Sequence, residues 1–179
     1  MPSTANCIFA KCATSFHCDS GMSPNNVTAS AHRPGEAKRA VAEGLFEGMG
    51  SDARLRGSRC LGCGASYFPR GAGCRNPVCR DRRITPVALS CVGTLYSYTV
   101  QSYQPPGLFR MDNWAPYPLG LIELPEGLRV MAMLTGCGVE ELRIGMPVEM
   151  TTEALYRDDS GCEVHTYKFR PLTTAGENS

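Results

Sequence analysis

Histidine, tryptophan and net charge are all scarce in this chain of 179 residues, which holds three His, one Trp and a formal charge of +1. The shortage of histidine removes the commonest general base from most of the sequence. His17 and His32 stand in an N-terminal stretch rich in Ser, Asn, Ala and Pro, and His165 stands alone in a strand-like segment. Cys91, Cys137 and Cys162 have no sequence neighbour to activate them. No self-sufficient catalytic constellation is therefore expected, and no catalytic residue is assigned. Long apolar runs are absent too: none approaches the ~18 residues of a membrane-spanning helix. The first twenty residues lack the continuous apolar stretch of a secretory signal. The expectation is a cytoplasmic protein that makes no use of a membrane. With 42% hydrophobic and 20% charged residues, the composition is that of a soluble globular chain.

Cysteine, by contrast, is abundant, with ten in the sequence. A secreted disulfide framework is one reading, but such frameworks belong to shorter, exported chains. Here four of the ten form two close pairs, Cys60-x2-Cys63 and Cys74-x4-Cys79, with ten residues between the pairs. Two such pairs supply the four thiolates that zinc takes tetrahedrally, and glycines at 62 and 64 permit the tight turn the first pair requires. Iron suits the same four sulfurs, and a redox Cys-x-x-Cys is a further alternative, although its usual strand–helix–strand setting is missing. With all four positions filled by protein, the metal is expected to be one structural zinc ion with no site for water or substrate. Cys7, Cys12, His17 and Cys18 match no closed zinc pattern and read as part of a loose tail. Met22 offers an alternative start, which would place residues 1–21 outside the protein.

Periodicity sets the remaining organisation. Residues 1–34 read as a flexible tail. Within 35–52, Ala37, Val41, Leu45 and Met49 recur every four residues, with Phe46 beside them, which predicts an amphipathic helix closed by Gly48 and Gly50. Residues 53–86 form the ribbon, which opens with a short strand around Leu55 and is too polar to build a core of its own. From 87 to 171 the pattern becomes strand-like. Val92, Thr94, Tyr96, Tyr98 and Val100 alternate on one face, with a bulge expected at Gly93. Strands then follow over 119–124, 128–135, 148–154 and 164–169, with a helical turn at 139–142 between the third and fourth. Residues 172–179 read as a C-terminal tail. The fold class is mainly β: an N-terminal helix, a rubredoxin-like zinc ribbon and a five-stranded OB-fold barrel.

Two further features point to partners. Between residues 54 and 83 stand eight arginines against one acid, Asp81, a formal +7 in a chain of net +1, so the rest carries −6. The segment falls to about +5 if a zinc–tetrathiolate centre counts as −2. These arginines either cover the ribbon or face an anionic partner. The loop 102–116 is too long to be mere connection and carries Tyr103, Leu108, Phe109, Met111 and Trp114. Its apolar side chains either cap the barrel or form a contact surface.

The helix segment Glu43-Gly44-Leu45-Phe46-Glu47-Gly48, the knuckle Arg59-Cys60-Leu61-Gly62-Cys63-Gly64 and the run Tyr67-Phe68-Pro69-Arg70 together resemble a known family. So do Val92-Gly93-Thr94-Leu95-Tyr96-Ser97-Tyr98-Thr99-Val100, Tyr117–Leu124 and Arg143-Ile144-Gly145-Met146-Pro147-Val148. Over about residues 40–171 the chain is similar to the zinc-ribbon OB-fold proteins associated with acyl-CoA enzymes (DUF35), although Cys74-x4-Cys79 is longer than the commoner x2 spacing. The resemblance implies a non-catalytic subunit that works in a hetero-oligomer beside a thiolase-like catalytic subunit and helps shape a site for a coenzyme A thioester. The loop wording Pro-Pro-Gly-Leu-Phe-Arg-Met-Asp-Asn-Trp resembles most the thiolase-associated members of anaerobic toluene degradation. Arg70, Phe109, Arg110 and Trp114 are the positions expected to meet the acyl-CoA or the partner. The alternative is a zinc-ribbon/OB module that binds single-stranded nucleic acid. Leu121, Glu123, Met131 and Met133 on the second and third strands are not the interleaved basic and aromatic residues such binding requires.

Overall fold

The computed structural model describes residues 37–172. Apart from Leu172, the two segments read as tails lie outside the described residues, as do Cys7, Cys12, His17, Cys18 and Met22. Among the described residues ten strands run in chain order: β1 Lys38–Ala40, β2 Phe46–Glu47, β3 Arg54–Cys60, β4 Ser66–Tyr67, β5 Ile84–Ala88, β6 Val92–Gln101, β7 Tyr117–Glu123, β8 Arg129–Leu134, β9 Pro147–Arg157 and β10 Glu163–Pro171. No helix among the described residues is long and apolar enough to cross a membrane.

The barrel is built from the last five strands. β7 pairs antiparallel with both β6 and β8, β8 runs parallel to β10, and β9 pairs with both β10 and β6. The path β6-β7-β8-β10-β9 therefore returns to β6 and leaves no open edge around the barrel. This is the expected OB-type closure, with the short 3-10 turn Val139–Glu141 between the third and fourth barrel strands. Alternation along each strand fills the interior with Leu95, Ile122, Val130, Leu134, Val148, Met150 and Phe169. Phe46, Ala53, Leu55 and Leu89 join the same cluster, so the root of the ribbon and the barrel share one core.

Two expectations are corrected. The N-terminal helix expected over 35–52 is not formed across its described part, 37–52, and no α-helix occurs among the described residues. Gly44 and Gly48 both take φ +76, in the left-handed region, and break the chain into short extended pieces. Of the apolar residues read as one helical face, Val41 and Phe46 still become buried, on different partners, while Ala37, Leu45 and Met49 are half-buried. Val41 enters a second cluster with Met133, Leu155, Tyr156 and Val164, while Phe46 enters the main core. β1 achieves this by running parallel to β10, Lys38 to Glu163 and Ala40 to His165.

The second correction concerns β6. Its bulge falls at Tyr96, between the pairs Leu95–Ile122 and Ser97–Leu121, rather than at Gly93. Before the bulge, the face carrying Val92, Thr94 and Tyr96 is the exposed one, and Gly93 and Leu95 point inside. Gly93 is small because backbone approaches it: a Cβ there would lie 2.6 Å from the Glu123 carbonyl oxygen. The extra residue reverses the phase, and Tyr98 turns half inward to offer its hydroxyl to the Leu142 carbonyl at 3.4 Å.

The β9–β10 turn is fixed by Asp158. One carboxylate oxygen accepts from the Ser160 amide at 3.0 Å, the Ser160 hydroxyl at 2.6 Å and the Cys162 amide at 3.1 Å; the other accepts from Arg39 at 3.0 Å. The Ser160 hydroxyl foremost, then Arg39, hold this carboxyl down at about 2. Since the folded value lies below the unfolded one of about 3.9, the stability it contributes is complete above that value and is lost as pH falls through about 2. A carbon-13 carboxyl titration by NMR should show Asp158 as a low-pH outlier. A midpoint in the ordinary carboxylate range would contradict this turn and its tie to β1.

Candidate metal centre and ligand groove

The ribbon hangs from β3, which pairs antiparallel with β2, β4 and β5. β3 delivers Cys60 at its last residue, and the chain turns tightly behind it: the Gly64 amide donates to the Cys60 carbonyl at 3.1 Å and the Cys60 amide to the Ala65 carbonyl at 2.9 Å. This turn aims the amides of Gly62 and Cys63 at the Cys60 sulfur, at 3.3 and 3.5 Å. The second knuckle is closed by Asn76, whose side-chain oxygen accepts from the Val78 amide at 3.2 Å and whose carbonyl accepts from the Cys79 amide at 3.1 Å.

These turns bring the sulfurs of Cys60, Cys63, Cys74 and Cys79 to within 4.8 Å of one another. The pair Cys60–Cys79 stands at 3.7 Å and Cys63–Cys74 at 3.6 Å. Zinc–sulfur bonds of about 2.3 Å in a tetrahedron put sulfurs about 3.8 Å apart, so the four donors fit that ion. All seven described cysteines are free thiols rather than disulfides. The Tyr67 hydroxyl, 3.1 Å from the Cys74 sulfur, draws that thiol down to about 6, so it is readily the thiolate a metal takes. Burial, with crowding by the other sulfurs, pushes Cys79 up to about 12. A cation among the four sulfurs would displace that proton. Tyr67 was not singled out as a supporting group from the sequence. Its signal was an aromatic residue carrying a hydroxyl between the two cysteine pairs.

The ribbon arginines divide. Arg59 donates to the Gly64 carbonyl, Arg75 lies over the Tyr67 ring and reaches the Pro69 carbonyl, and Arg82 reaches the Cys74 carbonyl. Arg83 pairs with Asp81 at 2.8 Å. These cover the ribbon's own loops. Arg70 and Arg80 are exposed, and among the described residues neither makes a hydrogen bond or ion pair.

The loop 102–116 folds back on the barrel. The Asp112 amide donates to the Leu155 carbonyl at 3.1 Å, and its carboxylate accepts from the Arg157 amide at 2.9 Å. Phe109 and Met111 pack on the second cluster, and the Arg110 guanidinium lies 3.8 Å over the Tyr156 ring. Trp114 is half-buried, and its indole nitrogen is buried without a partner. Phe109, Arg110 and Trp114 thus belong to one anchored loop, whereas Arg70 lies on the ribbon; the four are not gathered into one site. Tyr103 and Leu108 stay exposed at 69% and 51%.

Between this loop and the barrel runs a groove of about 320 Å³, walled by Pro105, Pro106 and Phe109 on one side and Leu119, Met131, Met133 and Tyr167 on the other. Gln101 and Thr166 are its polar members. Tyr167 is the hinge of this arrangement. Its hydroxyl donates to the Met131 carbonyl at 3.1 Å, and its ring meets Phe68 of the ribbon edge-on at 5.6 Å. Burial pushes its phenol up to about 12. Sequence analysis missed the groove because its walls come from separate strands, and only their pairing register places Leu119 opposite Met133.

Comparison with known proteins finds a zinc ribbon followed by an OB-fold domain. The family model described as the ChsH2 rubredoxin-like zinc ribbon domain matches residues 50–85, and that of the ChsH2 C-terminal OB-fold domain matches residues 86–153. A DUF35 domain-containing scaffold protein of Methanocaldococcus jannaschii is 36% identical over 120 residues, 66% of this chain and 82% of the relative. The benzoylsuccinyl-CoA thiolase subunit BbsA of Thauera aromatica is 34% identical over 118 residues, 66% and 76% of the two chains. Among solved structures, the Ltp2-ChsH2(DUF35) aldolase matches with a TM-score of 0.50 at 30% identity, over 66% of this chain and 84% of that one.

Proposed function

The chain belongs to the DUF35 family of zinc-ribbon and OB-fold proteins, and on that premise we propose that it is the non-catalytic, zinc-holding subunit of an acyl-CoA enzyme of thiolase type. Cys60, Cys63, Cys74 and Cys79 hold one structural zinc ion, and the ion fixes the ribbon against the barrel. The catalytic residues belong to a thiolase-like partner in a cytoplasmic hetero-oligomer. What this chain adds is a shaped apolar wall for a coenzyme A thioester that includes Phe109, while Arg110 and Trp114, further along the same loop, and Arg70, apart on the ribbon, meet the acyl-CoA or the partner. The reaction we favour is thiolysis of an aromatic acyl-CoA such as benzoylsuccinyl-CoA, in toluene degradation. The BbsA relatives and the wording of residues 105–114 support that choice.

The single observation that carries this reading is the groove beside the loop. It is apolar and joins the ribbon to the barrel through Tyr167. On the barrel, the nucleic-acid alternative has one favourable feature, the Tyr96 ring under the Arg129 guanidinium at 3.4 Å. Arg129 is already paired with Glu123 at 3.1 Å, so it offers no free charge to a phosphate backbone.

The test is titration of the purified chain into the thiolase-like subunit of the same organism, followed by light scattering and by acyl-CoA binding. The expected result is a stable hetero-oligomer that binds the thioester more tightly than either chain. Phe109→Ala should weaken thioester binding about tenfold while leaving assembly intact, as loss of one aromatic contact in a pocket does. Two chains that never associate would overturn the proposal.

A further inference from the structure

The ribbon tip combines two features that its fold does not need. Leu61 and Val78, one in each metal-binding knuckle, are exposed at 56% and 83%. Neither packs against the core clusters. The two knuckles are neighbours: the Leu61 amide donates to the Arg83 carbonyl at 3.0 Å, the Cys74 amide donates to the Arg82 carbonyl at 3.2 Å, and a Cβ on Gly62 would come within 3.3 Å of the Cys79 sulfur. Both residues therefore stand beside the segment 79–83 in the backbone, where Arg80, Arg82 and Arg83 are all exposed. Only one acid, Asp81, stands among them, and Arg83 already occupies it.

We propose that this tip is a docking knob whose occupant is an acidic protein surface with an apolar pocket, carried by the catalytic subunit. The inference rests on the function proposed above and adds which face of this chain meets the partner. Two protruding apolar side chains fringed by arginine are the reverse of a small-molecule site, which is concave. They have the make-up of an interface centre, an apolar anchor with arginine around it. The surplus of positive charge selects a carboxylate-rich counterpart and repels a basic one. The metal cage supplies the rigidity, because both anchors sit one or two residues from a cysteine ligand and lose little freedom on docking.

The experiment measures affinity between the full chain and the thiolase-like subunit by calorimetry, with zinc content determined for each variant. Leu61→Glu and Val78→Glu should each weaken association about tenfold or more with zinc retained. Ile144→Glu, at an exposed apolar site outside the ribbon, should bind as the parent does. Raising salt should weaken the parent complex. If Leu61→Glu or Val78→Glu loses zinc, Arg80→Glu takes its place; it should keep zinc and bind more weakly at low salt. Tip variants that bind like the parent would overturn this inference and leave the subunit function standing. Displacement of the partner by a single-stranded oligonucleotide would also overturn it, as a nucleic-acid surface. A parent chain that does not bind would overturn both.

Discussion

Cys63→Ser is expected to remove the metal and unfold the ribbon while the barrel strands persist. Cys63 is the informative choice because its side chain is exposed, so the substitution opens no hole in the core and its effect reports ligation alone. Between Cys60 and Ala88 the only buried hydrophobic residues are Cys60 and Cys74, both of them candidate ligands. Without an ion, therefore, little apolar burial holds residues 61–83 together. Metal binding in isolated zinc-finger peptides is worth ~10–16 kcal/mol, more than the whole stability of many domains. Hydrogen exchange should show amides of 60–83 losing protection while those of β7 and β8 keep theirs, and elemental analysis should find the ion gone. A metal-free Cys63→Ser chain with unchanged protection in the ribbon would show that the cage is not structural.

Phe169→Ala is expected to be the most damaging single change in the barrel. Phe169 is wholly buried in β10, beside Met150 of β9 and Leu134 of β8 in the strand register, and its carbonyl accepts from the Thr135 amide at 2.9 Å. It therefore fills the seam where the parallel and antiparallel pairings meet and the barrel closes. Truncating a buried Phe to Ala costs ~3–5 kcal/mol, a large share of the ~5–15 kcal/mol that holds an ordinary domain. The urea midpoint should fall sharply and the shared core should loosen on both sides, ribbon root included, since Leu55 and Leu89 belong to the same cluster. A loss under ~1 kcal/mol would mean that the seam is not closed as described.

These effects show which parts of the molecule the sequence made legible. The barrel was readable because alternation, turn chemistry and strand order all agreed, from Pro125-Glu126-Gly127 in the β7–β8 turn to the 3-10 turn before β9. The cysteine pairs were readable because their spacing carries its own geometry. The segment 37–50 was misread because a four-residue spacing of Ala37, Val41, Leu45 and Met49 mimics a helix. Gly44 and Gly48, at φ +76, overrule it. Val41 and the neighbouring Phe46 are buried as an apolar face would be, but each in a different cluster. In β6 the bulge was expected at Gly93 rather than Tyr96 because a bulge leaves no mark in composition: Tyr96 is an ordinary strand residue, and only pairing with β7 reveals it as the extra one. Gly93 drew attention for a sound reason, a tight backbone approach, that was assigned to the wrong device. The groove was not legible, since it depends on registers between distant strands, and the support of Cys74 by Tyr67 left only the faint mark of a tyrosine between the two cysteine pairs. Arg70 and Arg110, named together from the sequence, sit on the ribbon and on the loop respectively.

The central claim is that this chain supplies structure and a binding wall but no chemistry of its own. Its most direct test is the rate of thiolysis of an aromatic acyl-CoA by the zinc-loaded chain alone, by the thiolase-like subunit alone and by the two combined. Turnover confined to the combination, with none from this chain by itself, is the result the account predicts. An acyl thioester cleaved by this polypeptide unaided would contradict it.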